Sequence, residues 1–214
     1  LLGSAICVLD LETARSADDC LYCGKEKAEH FSVPGEHRKD RCPFTGEKGR
    51  PATWYVPLGW DNKAALGLSI GCYYDYRDSR MHWFDGPTLE ETVRGFVETQ
   101  PLLVSFNGIS FDFPLMRGLL RQRADAMERS GPGEDARTFD ASQAAAQLHD
   151  LCDSFKTLCA TSYDLLAEIW KVDPARKFEP GLNSLDVISQ ANGFGAKAMT
   201  GAIAPRLWQQ GRYA

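Results

Sequence analysis

Apolar residues form a short continuous run near the start of the chain and recur with helical period from its middle onward. Ile6-Cys7-Val8-Leu9-Asp10-Leu11 reads as a buried strand with one acid set into it. From Arg15 to about Pro51 the apolar periodicity vanishes, and charges, Gly and Pro dominate, which marks an insertion between a first and a second strand. The aromatic segment Trp54 to Trp60 is expected to lead back to the core. Leu66 to Tyr74 alternates: Leu66, Leu68, Ile70 and Cys72 share one face, and Gly67, Ser69 and Gly71 share the other, where small residues would let a helix approach closely. Arg77-Asp78-Ser79 makes a turn and Met81 to Phe84 the return strand of a hairpin.

Helices follow. Thr88-x-x-Glu91 is a capping box with Pro87 just outside, and Leu89, Val93, Phe96 and Val97 fall at helical spacing behind it. Leu102 to Phe106 is another buried strand, and beyond it Leu115, Met116, Leu119 and Leu120 form the stripe of a second helix. After the loop Ser130 to Gly133, residues 138–171 read as mainly helical, with Tyr163 to Leu166 and Ile169-Trp170 packing inward. Pro174 to Pro180 is a connector, Asn183 is expected to cap a short helix through Ala191 that Asn192-Gly193 stops, and Ala204 to Gln210 is a last helix. Strands, then alternating helices and strands, give an α/β chain with a central sheet flanked by helices.

Composition narrows the class. The 214 residues are 43% hydrophobic and 25% charged with a net charge of -5, so any nucleic-acid binding must use a local basic surface or metal ions. Arg117, Arg121, Lys171, Arg176 and Lys177 are open to two readings, a basic rim or a solvated face. No apolar run reaches the ~18 residues of a membrane span, and no signal-peptide pattern opens the sequence. Leu1 stands first and Ala214 closely follows a helix, so both ends are expected to be cut. Of seven cysteines, Cys7, Cys72, Cys152 and Cys159 lie in apolar segments and read as structural, in keeping with a reducing, cytoplasmic setting.

Two groups of residues carry candidate chemistry. Asp10 and Glu12 leave the same face of the first strand, about 7 Å apart along it, and a divalent cation is the natural partner of carboxylates there. The plainer reading is a strand that surfaces at Asp10 and ends in a polar turn. Asp112 follows a buried strand and opens a helix with Pro114 in its first turn, which capping alone would choose. If the first strand and Leu102–Phe106 are parallel neighbours, however, their carboxyl ends share one edge, and Asp10, Glu12 and Asp112 converge into a magnesium or manganese site. In the insertion, Cys20, Cys23, His37 and Cys42 give a C-x2-C-x13-H-x4-C spacing that suits tetrahedral zinc; a mobile charged loop is the other reading.

Asp10-Leu11-Glu12 resembles the first exonuclease motif, and Asn107-x3-Phe111-Asp112 the second, of the DEDD (DnaQ-like) 3′-5′ exonucleases of the ribonuclease H-like superfamily. The chain is most similar to the bacterial group related to the proofreading domain of family-B polymerases. The resemblance implies a ribonuclease H-like mixed sheet, interrupted after its first strand by the Cys/His-containing insertion at 15–51. It implies that Asp10, Glu12 and Asp112 hold two Mg2+ or Mn2+ ions and that Glu12 helps orient the attacking water. Asn107 and Phe111 would shape the loop and nucleotide pocket, and Leu11 and Thr13 would neighbour the terminal nucleotide. The reaction would release nucleoside monophosphates from a single-stranded DNA or RNA 3′ end, one ion activating water and the other stabilising the leaving 3′ oxygen. The family's third motif, a Tyr or His followed four residues later by Asp, is not found: Tyr213 is too near the end, and His82 and His149 fall in the wrong order. The chain is therefore expected to stop just short of it. Three rivals stand beside this reading: a nuclease-like scaffold that binds without cutting, a haloacid-dehalogenase-type phosphatase disfavoured by Glu12, and a zinc-stapled interaction domain.

Overall fold

The computed structural model describes residues 5–21, 57–129, 137–179, 181–195 and 204–211. Five strands make one mixed sheet in the order β3-β2-β1-β4-β5. β1 (Ile6–Thr13) lies at its centre, antiparallel to β2 (Leu68–Asp75) and parallel to β4 (Leu102–Ser105). β3 (Arg80–Phe84) pairs antiparallel with β2, and the two-residue β5 (Tyr163–Asp164) pairs parallel with β4. The helices are α1 (Lys63–Leu66), α2 (Leu89–Thr99), α3 (Asp112–Arg129), α4 (Arg137–Cys159), α5 (Leu165–Val172), α6 (Leu185–Ala191) and α7 (Ala204–Gln209), with a 3-10 turn at Pro174–Phe178. No helix among the described residues is long and apolar enough to cross a membrane.

The alternation along β1 sets the two faces of the sheet. Cys7, Leu9 and Leu11 are buried and join Leu103 of β4 and Phe84 of β3 beneath α2, α3 and α4. Leu89, Val93 and Phe96 enter this core from α2, Leu115, Met116 and Leu120 from α3, and Leu148, Cys152 and Phe155 from α4. Ile6, Val8 and Asp10 point the other way and stay exposed.

Several expectations are corrected by this packing. Leu66 ends α1, and Gly67 at φ 66° breaks the chain before β2 begins at Leu68. Gly71 does face inward, but its space is filled by side chains: a Cβ there would stand 2.3 Å from Phe84 and 2.6 Å from Leu11. Ile70 is 38% exposed and Cys72 only half-buried, because both lie on the open face with Asp10. Trp60 is 63% exposed and does not return to the core. The capping box is not made: Thr88 precedes α2 in helical conformation and makes no side-chain cap hydrogen bond. Its Oγ1 instead exchanges hydrogen bonds with Asp85. Ser184 caps α6, accepting from the Val187 amide, while Asn183 accepts from Trp170 Nε1 and donates to the Arg176 carbonyl. Tyr163 and Leu165 are substantially exposed, and only Leu166 of that segment is buried among its apolar residues.

A candidate carboxylate site at the carboxyl edge of the central strands

Because β1 and β4 run parallel as neighbours, Val8 opposite Val104, their carboxyl ends open on one edge of the sheet. Asp10 and Glu12 occupy the open face there, opposite Cys72 and Ile70 of β2. The Cys72 thiol feels both: burial raises its pKa first, and the charges of Asp10 and then Glu12 raise it further.

The loop after β4 delivers the third acid. Asn107 takes the left-handed conformation at φ 66°, which asparagine tolerates better than most side chains. Its carbonyl accepts from the Ser110 and Phe111 amides, and the Gly108 carbonyl accepts from Phe113. This turn starts α3 at Asp112, and Pro114 in the first helical turn has no amide hydrogen to leave unpaired. Gly108 is required by close approach, since a Cβ there would lie 2.2 Å from Ser105 Oγ and 3.3 Å from Asp112 Oδ2. Ser105 Oγ is itself buried without a hydrogen-bond partner.

Asp112 is 4% exposed, and its carboxyl is pushed up to about 8. Burial is the largest cause, followed by the charge of Asp10; Asp164 and Glu12 add smaller upward pushes. The acids expected at positions 10, 12 and 112 therefore sense one another across a buried carboxyl. Their ligand atoms nevertheless do not form a tight group. Among the described residues, three such atoms come within 4.8 Å of one another at Asp75–Asp78–His82 and at Asp125–Glu128–His149. Both sit among local partners, the first around the buried Asp75 and the second on exposed and half-buried positions. Arg77 holds the Asp75 carboxylate, His82 pairs with Asp78 at 2.9 Å, and His149 lies 3.3 Å from Glu128.

Sequence reasoning passed over Asp164. It is buried at the end of β5, opposite Ser105. Its carboxylate accepts from the Asn107 and Ile109 amides at 2.9 and 3.1 Å. It also caps α5, accepting from Leu166 and Ala167. One side chain thus fastens the Asn107 loop to the next strand–helix junction. The available signal was an Asp before an apolar helix, but a two-residue strand leaves no periodicity to read.

The other expected site residues are placed as follows. Leu11 and Thr13 are buried on the face opposite Asp10 and Glu12, so what they offer a ligand at this edge is backbone. Phe111 is half-buried, packing against both core clusters. Cys20 is fully buried and its backbone bridges to Pro57; Cys23, His37 and Cys42 lie outside the described residues. Four of the five basic residues are engaged locally, Arg121 with Asp153, Lys171 with Glu168, Arg176 with the Leu182 carbonyl and Lys177 over Trp170, while the buried Nε of Arg117 has no hydrogen-bond partner among the described residues. Comparison with protein-family models, curated proteins and solved structures finds no match to this chain.

Proposed function

We propose that this chain is a ribonuclease H-like 3′-5′ exonuclease domain of the DEDD type, acting on single-stranded DNA or RNA ends with two Mg2+ or Mn2+ ions. The observation that carries the reading is the Asp112 carboxyl, buried at the carboxyl edge of β4 and raised to about 8 by desolvation and by the charge of Asp10. Buried carboxylates set against like charge are costly unless a cation joins them, and all-oxygen donors suit hard divalent ions. The strand order β3-β2-β1-β4-β5, with β2 alone reversed, supports the ribonuclease H-like arrangement.

In this reading Asp10, Glu12 and Asp112 would hold the ions. Ions bound there would supply an activated water and neutralise charge on the scissile phosphate. Glu12 would help orient the water, while Asn107 and Phe111 would shape the pocket wall. Asp164, Asn107 and Gly108 keep Asp112 in register with β1 by fixing the loop that carries it.

The test is release of nucleoside monophosphates from a 3′-labelled single strand in Mn2+, with the loss of free Mn2+ paramagnetic signal measured alongside. The wild-type protein should bind Mn2+ and shorten the strand from its 3′ end, and Asp10→Ala should lose both. Absence of Mn2+ binding overturns the assignment. A second reading, a nuclease-like scaffold that binds nucleic acid without cutting, is favoured by the looser spacing of the three acids compared with the Asp75–Asp78–His82 and Asp125–Glu128–His149 groups. Strand binding without Mn2+-dependent shortening would select it.

A further inference from the structure

An exposed tryptophan stands beside the candidate site on a turn that has little freedom. Leu58 is buried with Ala17 and Leu66 in a small second core, against which Phe111 packs. The Leu58 amide donates to the Asp19 carbonyl and the Gly59 amide to the Ala17 carbonyl, each at 2.9 Å. Gly59 turns the chain at φ 71°, where a side chain would be strained. The next residue, Trp60, is left 63% exposed. Its indole meets the Phe111 ring edge-on, with centroids 5.7 Å apart and planes at 65°. Phe111 immediately precedes Asp112, and α1, which follows Trp60, is tied to the end of β1 by the Ala14 and Arg15 amides donating to the Gly67 and Leu66 carbonyls, so the indole stands near the loop that carries the third acid.

We propose that Trp60 is a stacking platform for the base of a single-stranded nucleic-acid terminus. This deepens the exonuclease reading and rests on it for the identity of the ligand. The argument is one of forces. An edge bearing Asp10 and Glu12, on a chain of net charge -5, repels a phosphate backbone wherever cations do not intervene. The electrostatic grip that usually dominates nucleic-acid affinity is therefore weak here. Stacking on an aromatic face is the compensating source of affinity, and it is indifferent to base identity. A large apolar ring gains most by being covered, and one on a pinned turn, braced by Phe111, loses little freedom on binding. Phe111 acts as the brace and Trp60 as the surface that receives the base.

The probe is a short single-stranded DNA with 2-aminopurine at its 3′ end, titrated with the whole 214-residue protein in Ca2+ to hold back turnover. Stacking quenches the 2-aminopurine emission. Wild-type protein should quench it. Trp60→Ala should abolish the quenching and weaken binding by roughly five- to a hundredfold, the range for loss of one stacked base. Trp60→Phe should restore most of both, and thermal melts of the two variants serve as the folding control. An oligonucleotide with an abasic 3′ residue should bind wild type and Trp60→Ala alike. Quenching and affinity unchanged in Trp60→Ala overturn the proposal, as does an equal loss for the abasic strand, which would mean that the indole touches no base. The nuclease reading is separated by Asp10→Ala, which should keep the quenching while losing Mn2+-dependent shortening. Quenching by a wild-type protein that never shortens a strand leaves the platform standing and removes the exonuclease. A wild-type protein that binds no strand removes both.

Discussion

Asp112 opens α3 while almost wholly buried, so its charge is opposed by desolvation and by Asp10. The folded-state value near 8 lies far above the usual carboxylate range, and this fixes the sign of its effect on stability. Between roughly pH 4 and pH 8 the unfolded chain has released this proton and the folded chain retains it, so the group costs stability as pH rises. The stabilisation is complete below the unfolded value and is lost by the time pH passes the folded one. In metal-free protein, chemical denaturation across that range should show a downward slope of up to about 1.4 kcal/mol per pH unit from this group. Asp112→Asn should remove that component; an unchanged slope would mean that Asp112 ionises freely. Asp10, Glu12 and Asp112 could be singled out as candidate acids from residue type and spacing, whereas Asn107 came only with the motif the chain resembles. The exposure of Trp60 was not, because an aromatic run in a sequence reads as core whichever way each ring points.

At the scale of elements, the short ones escaped the pattern. Four-residue α1 and two-residue β5 are below the length at which either period can be recognised. Both matter to the edge: α1 packs its Ala64 against Gly118 of α3, where a Cβ would come within 2.9 Å, and β5 brings in Asp164. The long elements were readable because their apolar residues share one buried face, as in α2 and α3. Asp164 joins two such elements by accepting backbone amides from the β4–α3 loop and the start of α5. Asp164→Ala should destabilise the fold by about 2–4 kcal/mol, since it removes a cap and leaves the buried Leu166 amide and three part-buried amides without this acceptor. Asp164→Asn should lose less, because one amide oxygen can still accept. Hydrogen exchange should show Asn107 and Ile109 losing protection first in the Ala variant; protection equal to wild type there would mean that the loop holds itself.

Over the whole molecule, one core beneath one face of the sheet takes up the apolar side chains of α2, α3 and α4. It also accounts for the thiols: burial pushes Cys7 up to about 11 and Cys159 up to about 12, and raises Cys152. Since the thiolate is the nucleophile, native protein at pH 8 should leave these three cysteines unalkylated by iodoacetamide, and denaturant should expose them. Rapid labelling in the native state would contradict the packing. The sequence alone determined the α/β class, the long helices, the β2–β3 hairpin and which acids were candidates, because periodicity and residue chemistry are local properties. Only the tertiary structure decided that β1 and β4 are parallel neighbours, that Leu11 and Thr13 turn away from Asp10 and Glu12, and that Asp164 fastens the loop behind Asp112. Those depend on which strands pair and in what register, and pairing between distant segments is settled by the packing of the whole chain.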